Sequence, residues 1–278
     1  MSGEGLTTAP IAETAAAAPS AVRTGGMLVV EGLVRHFGGV KAVDGCSFEI
    51  EPGTISALIG PNGAGKTTTV NLVAGALRSD RGRILFDGSD LTGKRPHQIA
   101  ERGLVRTFQI SREYASMTVL ENLMVSPLRQ SGERLLNVLL RPRRWRSEER
   151  EHLERSLQVL DAFGLYAKRD DYAGSLSGGQ KRLLELARAV MAAPKMLLLD
   201  EPLAGINPAL TDRVADHIRR LREDGITFLL VEHNLEIVER ICDHVVVMAL
   251  GATLATGTMA DLRKNEEVVR AYLTGGGA

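Results

Sequence analysis

The sequence predicts an α/β fold, a mainly parallel sheet with a helical subdomain inserted into it. Short β-branched runs alternate with amphipathic helical runs, the pattern of βαβ units. A glycine-rich loop starting at Gly60 joins one of those strands directly to a helix. From Pro96 to about Ala173 no convincing strand run occurs, while helical periodicity does.

In chain order, "MLVVEGLVRHF" (27–37), "KAVDGCSFEI" (41–50) and "TISALIG" (54–60) are short and partly alternating, with Gly38, Gly39, Pro52 and Gly53 as turns, and read as strands. The period turns helical in "KTTTVNLVAGAL" (66–77), and "GRILFDGSDL" (82–91) returns to strand before the helix "PHQIAERG" (96–103). Within the insert, "MTVLENLMV" (117–125) and Glu148–Leu165 have helical spacing. Then follow a helix from Gly179, strand "KMLLLDE" (195–201), helix "PALTDRVADHIRRLRED" (208–224), strand "GITFLLVEH" (225–233), helix "LEIVERIC" (235–242), and strands "HVVVMAL" (244–250) and "TLATG" (253–257). The first 26 residues are small and polar and read as a disordered tail without a secretory signal.

At 278 residues and 44% apolar composition the chain can bury a large core. Its 34 Lys+Arg balance 34 Asp+Glu, which excludes a global attraction to nucleic acid or an anionic membrane. Cys46 and Cys242 have neither the number nor the spacing of a disulfide framework or zinc site, and read as small buried hydrophobes. The longest uncharged run, between His244 and Asp261, contains Gly251 and Gly257 and is too short to span a bilayer.

"GPNGAGKTT" (Gly60, Pro61, Asn62, Gly63, Ala64, Gly65, Lys66, Thr67, Thr68) matches G-x-x-x-x-G-K-[ST] between a strand and a helix. In that setting backbone N–H groups cradle phosphates, Lys66 reaches the β and γ phosphates and Thr67 ligates Mg²⁺. "MLLLDEP" ends an apolar strand in Asp200, suited to hold Mg²⁺ through water, followed by Glu201, placed to polarise an attacking water. His233 ends the next strand and reaches the same sheet edge. "LSGGQKRLLELARAV" (176–190) puts Ser177, Gly178 and Gly179 at the N-terminus of a helix whose apolar stripe is Leu183, Leu186, Ala187, Val190 and Met191, where hydroxyl and N–H groups favour an anion. No Asn-Lys-x-Asp guanine motif is present.

Together these residues resemble the nucleotide-binding subunits of ABC transporters across 27–260: "GPNGAGKTT" their Walker A, Gln109 in "VRTFQ" their Q-loop, "LSGGQ" (with Gln180) their signature, "LLLDEP" their Walker B and His233 their switch histidine. The resemblance implies a P-loop NTPase core with an antiparallel β subdomain, a nucleotide-binding domain over 27–278 and a helical subdomain at about 96–175. It implies ATP and Mg²⁺ as cofactors, Phe37 stacking on adenine, and Gln109 as a metal ligand and coupler. As partners it implies a second nucleotide-binding subunit in a head-to-tail dimer, transmembrane permease subunits and, indirectly, a solute-binding protein, at the cytoplasmic face of the membrane and with no nucleic acid. "LAGINP" departs from the wider family, with Asn207 where an aspartate is usual. That version, with "HFGGVKAVDG", "VRTFQISREYASMTVLENLMV" and "EVVRAYLTGG", resembles the branched-chain amino-acid importer type. A subunit for urea uptake or lipopolysaccharide export, or a soluble non-transport ATPase, would share much of this pattern. Leu128–Arg146, with six arginines and Trp145, reads as a solvated helical hairpin, as a patch for anionic lipid or, least of the three, as a nucleic-acid contact.

Overall fold

The computed structural model describes residues 25–107, 113–127 and 142–274. Two sheets form the body. The first is antiparallel, in the order β2-β1-β4-β5, from β1 (Leu28–Phe37), β2 (Val40–Ile50), β4 (Arg81–Phe86) and β5 (Ser89–Asp90). Its hairpins turn where the backbone goes left-handed, at Gly38 (φ 58°) and at Asp87–Gly88 (φ 49° and 71°), the latter splitting "GRILFDGSDL" into β4 and β5.

The second sheet runs β10-β9-β3-β8-β7-β6, with β3 (Ile55–Ile59), β6 (Leu104–Arg106), β7 (Met196–Asp200), β8 (Thr227–Val231), β9 (His244–Ala249) and β10 (Ala252–Gly257). Only β9 with β10 is antiparallel. β3, β7 and β8 are buried at every position, as strands covered on both faces require, and that explains their unbroken apolar runs. The expectation that no strand lies between 96 and 173 is corrected by β6. Three residues are too few for a period to register, and it is parallel pairing with β7, Leu104 opposite Met196, that makes them a strand.

The helices are α1 (Lys66–Val73), α2 (Pro96–Ala100), α3 (Val119–Met124), α4 (Pro142–Ala162), α5 (Gly178–Met191), α6 (Pro208–Glu223), α7 (Leu235–Ile241), α8 (Met259–Leu262) and α9 (Glu266–Thr274). α3 starts on a capping box, in which Thr118 Oγ1 accepts from the Glu121 N–H (3.1 Å) and Glu121 accepts from the Thr118 N–H (2.7 Å). α5 buries Leu183, Leu186, Ala187 and Met191 along the expected stripe, with Val190 half-buried. The tail expected at 1–26 lies outside the described residues up to Thr24. Gly26 is already packed, its N–H donating to Lys195 O (3.4 Å). Cys46 is buried and Cys242 half-buried; burial pushes both thiols up, Cys242 to about 12.

Where the helical region meets the sheet, Phe163 stacks on His217 of α6 with centroids 4.6 Å apart. Burial, then the charges of Arg220 and Arg213, lowers His217 from 6.5 to about 4. The unfolded chain takes up this proton below pH 6.5 and the folded chain only near 4, so the stability tied to a neutral His217 is full above pH 6.5 and is lost as pH falls toward 4. Thermal midpoints measured across that window are expected to fall more steeply in the wild type than in His217→Phe.

Candidate functional site

The loop between β3 and α1 is held by close backbone approaches that only glycine permits. A Cβ on Gly60 would lie 2.2 Å from Met248 O, and one on Gly65 would lie 2.3 Å from Ala42 O. Gly63 and Gly65 have φ of 76° and 97°, in the left-handed region. Seated on β9 and β2, the loop leaves Asn62, Gly63 and Thr67 exposed, Pro61 and Thr68 half-buried, and Ala64 buried beneath. Lys66 folds back into it, donating from Nζ to Gly60 O (2.8 Å) and Pro61 O (2.9 Å). Burial draws the lysine below its ordinary pKa, and the charges of Glu201 and Asp200 oppose that.

β7 carries the acids to the same edge of the sheet, separated from β3 by β8. Asp200 is only 2% exposed and pairs with Arg106 at the end of β6, Nη2 to Oδ2 3.0 Å. The other Arg106 amino group, Nη1, donates to Asn71 Oδ1 in α1. Glu201 stands in the left-handed region at φ 50°, a strained conformation for a residue with a side chain. Its N–H donates to Val231 O (3.0 Å), and His233 Nε2 lies 2.8 Å from its Oε1. Glu232, buried beside them and pushed up in pKa by that burial, accepts from the Leu203 N–H (3.2 Å) and ties the chain after β7 to β8.

The sheet order β3-β8-β7 carries Lys66, Asp200, Glu201 and His233 to one edge, where His233 and Glu201 touch. Sequence reasoning missed Arg106, Asn71 and Glu232. Glu232 had a signal, a carboxylate next to a wholly apolar strand; Arg106 had none, because its strand was invisible. Gln109 lies outside the described residues, as does most of the arginine-rich stretch 128–146.

The signature turn stands apart. Ser177 caps α5, its Oγ accepting from the Gln180 N–H (3.3 Å), while Gln180 Oε1 accepts from the Ser177 N–H (3.0 Å). Gly179 abuts α6 so closely that a Cβ would lie 1.8 Å from Leu210. A cleft of about 590 Å³ beside the turn is lined by Ser177, Gly178, Gly179, Gly205, Asn207 and Leu210 among others, and by no residue of Gly60–Thr68. Asn207 Oδ1 accepts from the Leu210 N–H (2.9 Å), capping α6.

Phe37 ends β1 at the tip of the hairpin whose Ala42 touches Gly65, and is 43% exposed. The Arg35 guanidinium covers one ring face, 4.7 Å from the centroid, and is held by Asp80 (2.8 Å). The donor set suits a magnesium–triphosphate group: a glycine loop wound around a buried ammonium, with the hydroxyl and carboxylate oxygens of Thr67 and Asp200 as the hard ligands magnesium takes. Among the described residues no group of three or more His, Cys, Asp or Glu is placed to hold a metal ion.

A phosphate cradle on one parallel strand and a pair of acids two strands away define a P-loop nucleotide hydrolase. More narrowly, the chain belongs to the ABC transporter family, which residues 43–204 match. It is 43% identical over 247 residues to the probable branched-chain amino acid transport ATP-binding protein LivG of Archaeoglobus fulgidus, covering 89% of this chain and 95% of that one. To the high-affinity branched-chain amino acid transport ATP-binding protein BraF of Pseudomonas aeruginosa it is 42% identical over 248 residues, covering 89% and 97%. Among solved structures, a nucleotide-free ATP-binding cassette from an ABC transporter superposes with a TM-score of 0.77 at 39% identity, covering 89% of this chain and 98% of that one. The ADP conformation of such a cassette matches with the same TM-score and identity, covering 90% and 99%.

Proposed function

We propose that this chain is the ATP-binding and ATP-hydrolysing subunit of an importer for branched-chain amino acids, acting at the cytoplasmic face of the membrane. The observation that carries the solute is identity of 42–43% over nearly the whole length of chains named for that transport. In this reading separate permease subunits carry the transmembrane path and solute reaches them from a binding protein, as the names of the relatives as ATP-binding proteins of transport suggest; among the described residues no helix is long and apolar enough to cross a membrane. The chain supplies one nucleotide-binding domain, 27–278, and its helical subdomain, expected at about 96–175, begins after β6, which belongs to the main sheet.

In this reading backbone N–H groups of Gly60–Thr68 wrap the phosphates, and Lys66 lies against the β and γ oxygens. Thr67, Asp200 and Gln109 would hold magnesium, which supplies charge neutralisation on the phosphate oxygens when bound. Glu201 polarises the attacking water, held in its strained pose by the Val231 carbonyl and the His233 ring. Ser177, Gly178, Gly179 and Gln180 close on the nucleotide of a second subunit, a role supported by the separation of their cleft from this chain's own loop. The test is ATPase activity of the reconstituted complex against a panel of solute-loaded binding proteins. Stimulation by leucine, isoleucine or valine is expected; stimulation by urea alone overturns the assignment.

Phe37 is the adenine platform in this reading, with the ring face away from Arg35 turned to the base. Phe37→Ala is expected to weaken nucleotide binding by about 1–2 kcal/mol, the order for removing an aromatic stacking surface, and to change turnover at saturating ATP less. A nucleotide titration checks it, and unaltered affinity returns Phe37 to a structural role.

A further inference from the structure

The ion pair at the end of β6 has no place in the reading above. Arg106 joins three elements: it ends β6, grips Asn71 of α1 and pairs with Asp200 at the end of β7. The pair is largely buried, with side chains 15% and 1% exposed, and the Thr107 N–H donating to Leu198 O (3.0 Å) keeps this end of β6 against β7. Two carboxylates, Asp200 and Glu201, thus share the phosphate edge with two fixed cations, Lys66 and Arg106. Lys66 uses two of its three N–H donors on Gly60 and Pro61, leaving one for a ligand.

We infer that Arg106 is a positioning residue of the phosphate site, taking up the charge of Asp200 so that the Lys66 ammonium is left to the nucleotide. A buried carboxylate stripped of its partner seeks the nearest cation, and at low dielectric that attraction is large. Lys66 already lies within the field of Asp200 and Glu201. Without Arg106 the acid competes with the nucleotide for the third Lys66 N–H and leaves an uncompensated negative charge beside an incoming triphosphate. Asn71 acts one step further out, aiming the guanidinium from the helix that Lys66 begins.

The inference rests on the nucleotide-binding reading of this loop, and the experiment separates the two. ATP binding to the purified full chain is measured by calorimetry in EDTA, where no metal contributes. Arg106→Met is expected to weaken metal-free ATP binding about tenfold, the scale of one unbalanced partly buried charge, and Arg106→Lys to stay within about threefold of wild type. Asp200→Asn alone is expected to tighten metal-free binding. Adding it to Arg106→Met is expected to restore affinity to near wild type, a compensation that a merely structural arginine does not produce. That double variant and Arg106→Lys carry the test if Arg106→Met fails to fold. Wild-type affinity in Arg106→Met while Lys66→Ala abolishes binding overturns the role of Arg106 alone, as does a double variant weaker than wild type by the full tenfold or more. Failure of the wild type to bind ATP overturns both readings.

Discussion

Glu201→Gln is expected to keep ATP bound and to cut hydrolysis by about 10²–10⁴-fold, the range a positioned general base contributes. The substitution keeps the side chain's size and its ability to accept from His233, so the pose at φ 50° is retained along with the Val231 carbonyl contact. Polarisation of the water is lost. Lys66 and Asp200 are untouched, so the phosphate site still fills, and ATP is expected to hold the variant as a dimer on a sizing column. Phosphate release from the assembled complex is the decisive measurement, and equal turnover in wild type and variant removes Glu201 from the role of base.

That Glu201 was legible in the sequence while its conformation was not shows where sequence reading stops. "LLLDE" announces an apolar strand ending in two acids, since periodicity and residue type are local. The left-handed backbone at Glu201 depends on Val231, thirty residues on and two motifs away, and nothing near position 201 encodes it. The glycine loop was legible for the same local reason, and the structure adds which glycines matter for seating: Gly60 against Met248 and Gly65 against Ala42. The capping of α5 was readable as a turn rich in hydroxyl and amide groups, although the reciprocal Ser177–Gln180 bonds engage part of what the turn seemed to offer a ligand. Arg106 was illegible because the three residues of β6 are too few for a strand period to register. Only the parallel pairing of β6 with β7 carries it to Asp200, and that pairing joins positions about ninety residues apart in the sequence.

The largest effect belongs to the signature turn, whose cleft excludes the loop of its own chain. If it caps the nucleotide of a partner, Lys66→Ala on one subunit and Ser177→Arg on the other fall in the same composite site of a two-fold head-to-tail dimer, and the second site is left whole. Both substitutions on one subunit, opposite a wild-type partner, instead damage each site once. Ser177→Arg places a long cation at a position that caps α5 and faces open solvent, so it blocks the cleft without displacing core. With Glu201→Gln on every subunit to stop turnover, differently tagged chains purified as heterodimers are expected to trap about one ATP per dimer in the first arrangement and about none in the second. Counting bound nucleotide after rapid desalting reads the difference directly. Equal trapping in the two arrangements would mean that "LSGGQ" serves the nucleotide of its own chain, and the head-to-tail pairing would have to be abandoned.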